Sequence, residues 1–341
     1  MSKVSLKSLS QHLGLAEGTV SRAINGYPDI SERTRERVRR AVVELGYRPN
    51  SNARRLATGN AECVGYVLPW RQGHISDPFL GEMLDGLSAA LAERHWDLTI
   101  SVPRSEEDEL AIITRLAESG RVNGIVLSRT LIRDRRVECV RALGIPFVTH
   151  GRTGNSDDHA WFDIDNFAAF REAVHHLAGL GHARIACIHG RLDYNFATQR
   201  WMGFQQGLKD CGLELVPGYK AQSKMNQDGG SWAMMDLMQL KRPPTAVVCV
   251  SDLVAVGAMK AIREAGMRPG REISVIGYDG LLLGEHTDPP LTTMAYPVHE
   301  TGRTIGEMLL AAIDGAKPSD NQQLRRAELL RRESDGPPPA A

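Results

Sequence analysis

Cysteine is scarce, long apolar runs are missing, and the charges cancel. The five cysteines (Cys63, Cys139, Cys187, Cys211 and Cys249) are scattered, odd in number and never spaced as CxxC, which suits a reducing cytosol. No apolar stretch approaches the ~18 residues needed to span a bilayer. Met1 to Ser8 lacks the apolar core of a signal peptide, so a cytoplasmic rather than exported protein is expected. Enzyme signatures are missing too. There is no GxGxxG after a strand, no GxxxxGK[ST], no GxSxG and no HExxH, so neither catalysis nor a cofactor is expected. Asp163-Ile164-Asp165-Asn166 starts like a calcium loop, but Phe167 and Ala168 stand at the next ligand and glycine positions. It reads instead as a turn after a strand that crosses between lobes. The adjacent His175 and His176 read as a solvated helix face, His182 as a helix-end residue, and no metal site is expected.

What remains is an ordinary globular composition, 42% hydrophobic and 24% charged over 341 residues. At about 150 residues per domain, that length suggests two or three domains. The zero net charge conceals an asymmetry. Residues 1–60 hold 11 cations against 5 anions, a net +6, and the remaining 281 residues therefore carry −6. A basic end on an acidic body points to a polyanionic partner for that end. The alternative is one solvated basic helix, since Arg35, Arg37, Arg39 and Arg40 are clustered.

Helical spacing settles the local structure of that end. Leu6, Leu9 and Leu13 form one helix stopped by Gly14. Ala16 to Asn25 forms a second with Val20 and Ile24 inward, and Gly26-Tyr27-Pro28-Asp29 is a turn. A third helix starts near Ser31, buries Val38, Ala41, Val42 and Leu45, and ends at Gly46. Two short helices around a glycine turn make a helix-turn-helix candidate, whose second helix enters the major groove. Outward Glu17, Thr19, Ser21, Arg22 and Asn25 can all hydrogen-bond to bases or phosphates, Arg22 bidentately to guanine. Gly18 costs roughly 1 kcal/mol against alanine inside a helix, so it either permits close backbone approach to a partner or is simply tolerated there.

The rest of the chain alternates short apolar runs with helical segments, as in parallel βαβ units. Val64–Leu68, Gly124–Ser128 and Pro146–Thr149 are the runs of one half. Ile185–Ile188, Ala246–Val250 and Ile273–Asp279 are those of the other. Gly86 to Leu98 matches Gly203 to Leu215 in spacing, and Ile145–Gly151 parallels Ile273–Asp279, which indicates a duplication. Two like lobes around a cleft make a hinge-closing binder, with an α/β enzyme as the alternative.

Val4–Leu9, Gly14–Asn25, Ile30–Val38, Leu45–Asn50 and Ala53–Ala57 together closely resemble the start of lactose-repressor (LacI/GalR) family regulators. The likeness extends through Thr198–Phe204, Pro243–Ala246, Ser251-Asp252, Ile273–Asp279, Pro290–Thr293 and Glu328–Arg331. The resemblance implies an N-terminal all-α helix-turn-helix domain plus an α/β periplasmic-binding-protein-like effector domain of two doubly wound lobes. It implies a DNA-binding domain over 1–49, a hinge helix over 50–61, an effector and dimerisation domain over 62–332, and a flexible tail over 333–341. Within the effector domain it assigns 62–162 and 293–320 to the N-lobe, and 163–292 and 321–332 to the C-lobe.

The family's roles fall on particular residues. Ser5, Thr19, Ser21, Asn25, Tyr47 and Asn50 would contact or position the DNA backbone. Glu17, Gly18 and Arg22 would read bases. In the hinge, with Ala53 and Arg54, Leu56 would wedge into the minor groove and kink the duplex. Effector contacts fall on Asp77, Phe79, Ser128, His150, Arg152, Asn195, Phe196, Arg200, Trp232, Ser251, Asp252 and Asp279, with Arg200 and Asp279 foremost. His150-Gly151-Arg152 departs from the family's commoner apolar-Asp-Arg pattern. The implied partners are a pseudo-palindromic operator, a second copy of the chain in a homodimer, and a small carbohydrate such as a glucoside or disaccharide. A nucleobase is the alternative effector, and a solute-binding protein or DNA-linked enzyme the alternative class. With no leucine heptads near the C-terminus, a dimer is expected rather than a tetramer.

Overall fold

The computed structural model describes residues 4–47, 60–70 and 77–340. The chain divides into a compact unit over Met1–Ala61 and a larger one over Glu62–Ala341.

The smaller unit packs three helices: α1 (Leu6–Leu13), α2 (Glu17–Ile24) and α3 (Glu32–Glu44). Their ends follow from local chemistry. Ser5 caps α1 in a capping box with Ser8, and Gly14 closes it at φ 62°, a backbone conformation that suits glycine. Ser31 caps α3 through the Thr34 N–H. Leu9, Leu13, Val20, Ala23, Val38 and Ala41 form the core, flanked by Ile24, Val42 and Tyr47. The Arg37 guanidinium donates to the Leu13 carbonyl at 2.6 Å and so ties α3 to the end of α1.

The larger unit holds two six-stranded sheets. The N-lobe sheet contains β1 (Cys63–Val67), β2 (Asp97–Ser101), β3 (Gly124–Ser128), β4 (Phe147–His150), β5 (Ala160–Ile164) and β11 (Gln322–Arg325), in the order β11-β5-β4-β3-β1-β2. The C-lobe sheet contains β6 (Ile185–His189), β7 (Lys220–Gln222), β8 (Ala246–Cys249), β9 (Ser274–Asp279), β10 (Thr292–Ala295) and β12 (Glu328–Leu330), in the order β12-β10-β9-β8-β6-β7. Matched strand by strand, the two orders coincide. Central strands are buried on both faces and mostly apolar, as suits parallel strands under helices, while edge strand β2 is largely exposed.

Glycines set the helix packing. α4 (Pro78–Ala92) crosses α11 (Val298–Ile313), and a Cβ on Gly86 would stand 1.8 Å from the His299 carbonyl oxygen. α7 (Asn166–Gly179) crosses α8 (Asn195–Asp210), where a Cβ on Gly203 would stand 2.1 Å from the Phe167 carbonyl oxygen. The matched pair Gly86 and Gly203 thus does the same job in each lobe. α5 (Glu106–Glu118) and α6 (Arg135–Ala142) complete the N-lobe, and α9 (Gln227–Met238) with α10 (Asp252–Glu264) the C-lobe.

The lobe boundaries differ from the sequence reading at each crossover. Asp163 and Ile164 finish β5 in the N-lobe sheet, so the first crossing comes at Asp165, which caps α7. Residues 293–295 belong to β10 in the C-lobe, and the second crossing follows at Tyr296-Pro297. Residues 322–325 are an N-lobe strand, and only β12 beyond them joins the C-lobe. An apolar run shows that a strand exists but not which of two like sheets accepts it. The expected flexible tail also needs correction. Ser334 is fully buried and bonds to the Thr292 N–H, Asp335 meets His176 at 2.6 Å, and the Gly336 carbonyl accepts from His182 at 2.8 Å. His182 is accordingly a buried hub that also meets Thr245 and Ser274.

Candidate functional site

Two surfaces carry the sequence-predicted residues. On the three-helix unit, α2 presents Glu17, Gly18 and Arg22 outward, with Thr19 and Ser21 half-buried at its flank. Its N-cap is Ala16, so no side chain satisfies its first N–H groups. A Cβ on Gly18 would meet nothing within 4 Å, so internal packing does not require glycine there. Ser5 and Asn25 have structural roles of their own: Ser5 caps α1, and Asn25 donates to the Ser21 carbonyl at 2.9 Å. Tyr47 packs against the core. The arginine cluster of α3 is partly engaged, since Arg35 pairs with Glu32 and Arg39 with Glu36. Asn50, Ala53, Arg54 and Leu56 lie outside the described residues.

The second surface is a cleft between the lobes, enclosing about 630 Å³ of empty space that includes solvent at its mouth. Its N-lobe wall carries Asp77, Phe79, Arg129 and His150, and its C-lobe wall Phe196, Arg200, Ser251 and Asp279. These sit just beyond the carboxyl ends of parallel strands, where such sheets bind ligands. Asp77 caps α4 through the Phe79 N–H at 3.1 Å and pairs with Arg129 at 2.5 Å. Arg200 donates to Asn166 at 2.7 Å and to the Val250 carbonyl, and lies 3.5 Å over the Tyr278 ring. Asp279 is 7% exposed, and among the described residues its carboxylate meets only the Tyr296 hydroxyl, at 3.5 Å. Burial holds its carboxyl well above the usual range, and nearby Arg200 opposes this. Burial, with Arg129 and Arg200 nearby, pushes His150 down to about 4, so its ring is neutral and stacks 5.8 Å from Phe79. Arg129 and Asp279 both hold positive φ, 51° and 120°, at strand ends.

The lobes also touch beside the cleft. Ile132 donates its N–H to the Asp193 carbonyl at 2.9 Å, and Asn195 donates to the Thr130 carbonyl at 3.0 Å.

Five predicted contacts do not line the cleft. The Ser128 hydroxyl accepts from Tyr66 at 2.7 Å. Arg152 pairs with Asp163 at 2.9 Å. Asn195 starts α8. Asp252 is fully buried and accepts from Thr293 and the Leu281 N–H, with burial raising it to about 6. Trp232 is 55% exposed on the outer side of α9, because Gly229, Gly230, Ala233, Met234 and Leu237 occupy the inward phase. Sequence reasoning missed Arg129, Asn166 as a partner of Arg200, and Tyr296. Asn166 had a signal in the acidic run before α7, and Arg129 in its place right after β3.

Comparison with known proteins establishes the family and the fold. The family model for bacterial regulatory proteins of the lacI family matches residues 14–50, and a periplasmic binding protein-like domain matches residues 174–334. The HTH-type transcriptional regulator AglR of Rhizobium meliloti (strain 1021) is 41% identical over 340 residues, covering 98% of this chain and 95% of the relative. This chain belongs to the lacI family. Among solved structures, the complex of the transcriptional regulator CelR with cellobiose has a TM-score of 0.75 at 29% identity, covering 97% of this chain and all of the other. The lac repressor dimer bound to operator and the anti-inducer ONPF has a TM-score of 0.85 at 26% identity, covering 98% and 99%. As a lacI-family member the chain is a DNA-binding transcriptional regulator, with a helix-turn-helix head and a periplasmic-binding-protein-like body. No described helix is long and apolar enough to cross a membrane.

Proposed function

We propose that the chain is a repressor, acting as a homodimer on a pseudo-palindromic operator, whose affinity for DNA is set by an uncharged carbohydrate bound between the lobes. The observation that carries the effector reading is the composition of the cleft. Acidic and basic side chains alternate on both walls, His150 is neutral, and Phe79 and Phe196 offer flat apolar faces. Hydroxyls that donate and accept suit such walls, and a net charge on the ligand does not. Asp279 supplies a buried acceptor with little else to bind, and Arg200 a rigid donor. Supporting this, CelR, which shares the fold, was solved with cellobiose. The lac repressor dimer on its operator supports the dimer.

In this reading Glu17, Gly18 and Arg22 face base edges, while Thr19, Ser21 and the uncapped start of α2 face phosphates. Ligand in the cleft changes the closure of the lobes, the pairing of two copies, and hence the affinity for DNA. Such coupling is reciprocal: operator must change ligand affinity by the same factor. No step of it requires turnover of the ligand.

The test is a melting-temperature screen of the full chain against maltose, sucrose, trehalose, cellobiose, raffinose, adenosine and cytidine. A bound saccharide at 100 times its Kd adds about 2.7 kcal/mol. Stabilisation by a nucleoside alone would overturn the carbohydrate reading.

A further inference from the structure

The head carries a contact that its own stability does not explain. Arg22, on the exposed face of α2, meets Asp29 with 2.7 Å between Nη2 and Oδ2. Its guanidinium carbon lies 5.0 Å from the centre of the Tyr27 ring. All three side chains are exposed, those of Arg22 and Asp29 by about half. The turn that holds Tyr27 and Asp29 is already closed by its main chain. Tyr27 donates to the Arg22 carbonyl at 3.1 Å, and Ile30 donates to the Tyr27 carbonyl at 3.2 Å. An exposed ion pair adds little to such a turn. A carboxylate beside a DNA-facing helix also repels phosphate and lowers affinity for every sequence. What the contact does achieve is to fix Arg22. A carboxylate at one edge and an aromatic face beneath remove most of the rotamer freedom that an arginine otherwise loses on docking. The remaining N–H groups of the fork stay available for a planar pair of acceptors, the pattern guanine shows in the major groove.

We propose that Asp29 and Tyr27 are positioning residues that hold the Arg22 fork in the pose that reads a guanine, so that they raise base preference without adding affinity. The inference rests on the reading of α2 as the helix that enters the major groove.

The experiment is selection of binding sites from a randomised DNA pool by the full chain, repeated with R22A, D29N, D29E and Y27A. Each variant is melted beside the parent, and each is titrated with a scrambled duplex. The parent should enrich a guanine at one position of each half-site, and R22A should lose it. D29N should bind the scrambled duplex at least as tightly as the parent, yet its preference for that guanine should fall about tenfold. D29E should recover most of the preference, and Y27A should lose part of it, with melting near the parent's. Equal weakening on all sequences by D29N would mark a merely structural role and overturn the proposal. So would an unchanged guanine preference in D29N when R22A has lost it. If R22A keeps the parent's preferences, the assignment of α2 as the reading helix falls, and the proposal with it.

Discussion

The two lobes share one strand order but present opposite kinds of polar wall to the cleft. On the N-lobe, Asp77 and Arg129 satisfy each other, and Asp77 also caps a helix. On the C-lobe, Arg200 is pinned to Asn166 and the Val250 carbonyl, while Asp279 is buried with one long contact among the described residues. A duplicated fold thus yields one wall whose charges are closed and one whose acceptor is open. The open wall is where a ligand hydroxyl gains most, because a buried carboxyl whose one described contact is long still has hydrogen-bonding capacity to fill.

That contrast can be broken or sharpened by substitution. Arg200→Ala should have the largest effect. It leaves the Val250 carbonyl and Asn166 without their donor and costs about 3 kcal/mol of stability in chemical denaturation. It should also erase the saccharide's stabilisation. Asp279→Asn should act in two directions: the free protein melts at the same or a higher temperature, while calorimetry shows saccharide affinity falling about 10- to 100-fold. A drop in both would mean that Asp279 is a structural group. Asp77→Asn keeps a capping side chain but removes the carboxylate that faces Arg129. It should lower stability by about 1–2 kcal/mol and leave most of the saccharide stabilisation. Loss as complete as in Asp279→Asn would erase the difference between the walls.

The smallest effect concerns pH. The folded His150 ring takes up a proton only near pH 4, against 6.5 for the ordinary group, so the unfolded chain binds more protons between those values and stability is lost there as pH falls. The raised Asp252 and Asp279 work in the opposite sense, since their folded carboxyls hold protons more readily. His150→Gln should therefore gain melting temperature relative to the parent as pH drops from 6.5 towards 4. A constant difference would place the ring in contact with water.

Much of the fold is legible in the sequence where one period dominates. Leu6, Leu9 and Leu13 repeat at helical spacing, and strands such as Gly124–Ser128 carry a run of apolar residues because both faces are covered. The matched glycines Gly86 and Gly203 betray the duplication because each touches a backbone carbonyl. The crossovers were less legible, since 322–325 and 328–330 are separated by only two residues yet enter different sheets. In the cleft, Arg200 and Asp279 followed from family likeness. Trp232 was misplaced because aromatic type says nothing about helical phase, and the glycine-rich face of α9 decides it. Arg129 escaped notice because its direction depends on a positive φ that no composition reveals. Asp252 looks like a ligand contact yet bonds only within its lobe.

The most direct test couples the two surfaces in one titration. DNA selected by the parent chain is titrated with the parent and with Arg200→Ala, each with and without the saccharide found in the melting screen. Saccharide should change the parent's operator affinity about 5- to 150-fold and leave that of Arg200→Ala unchanged. An equal shift in both proteins would contradict this and place the effector outside the cleft.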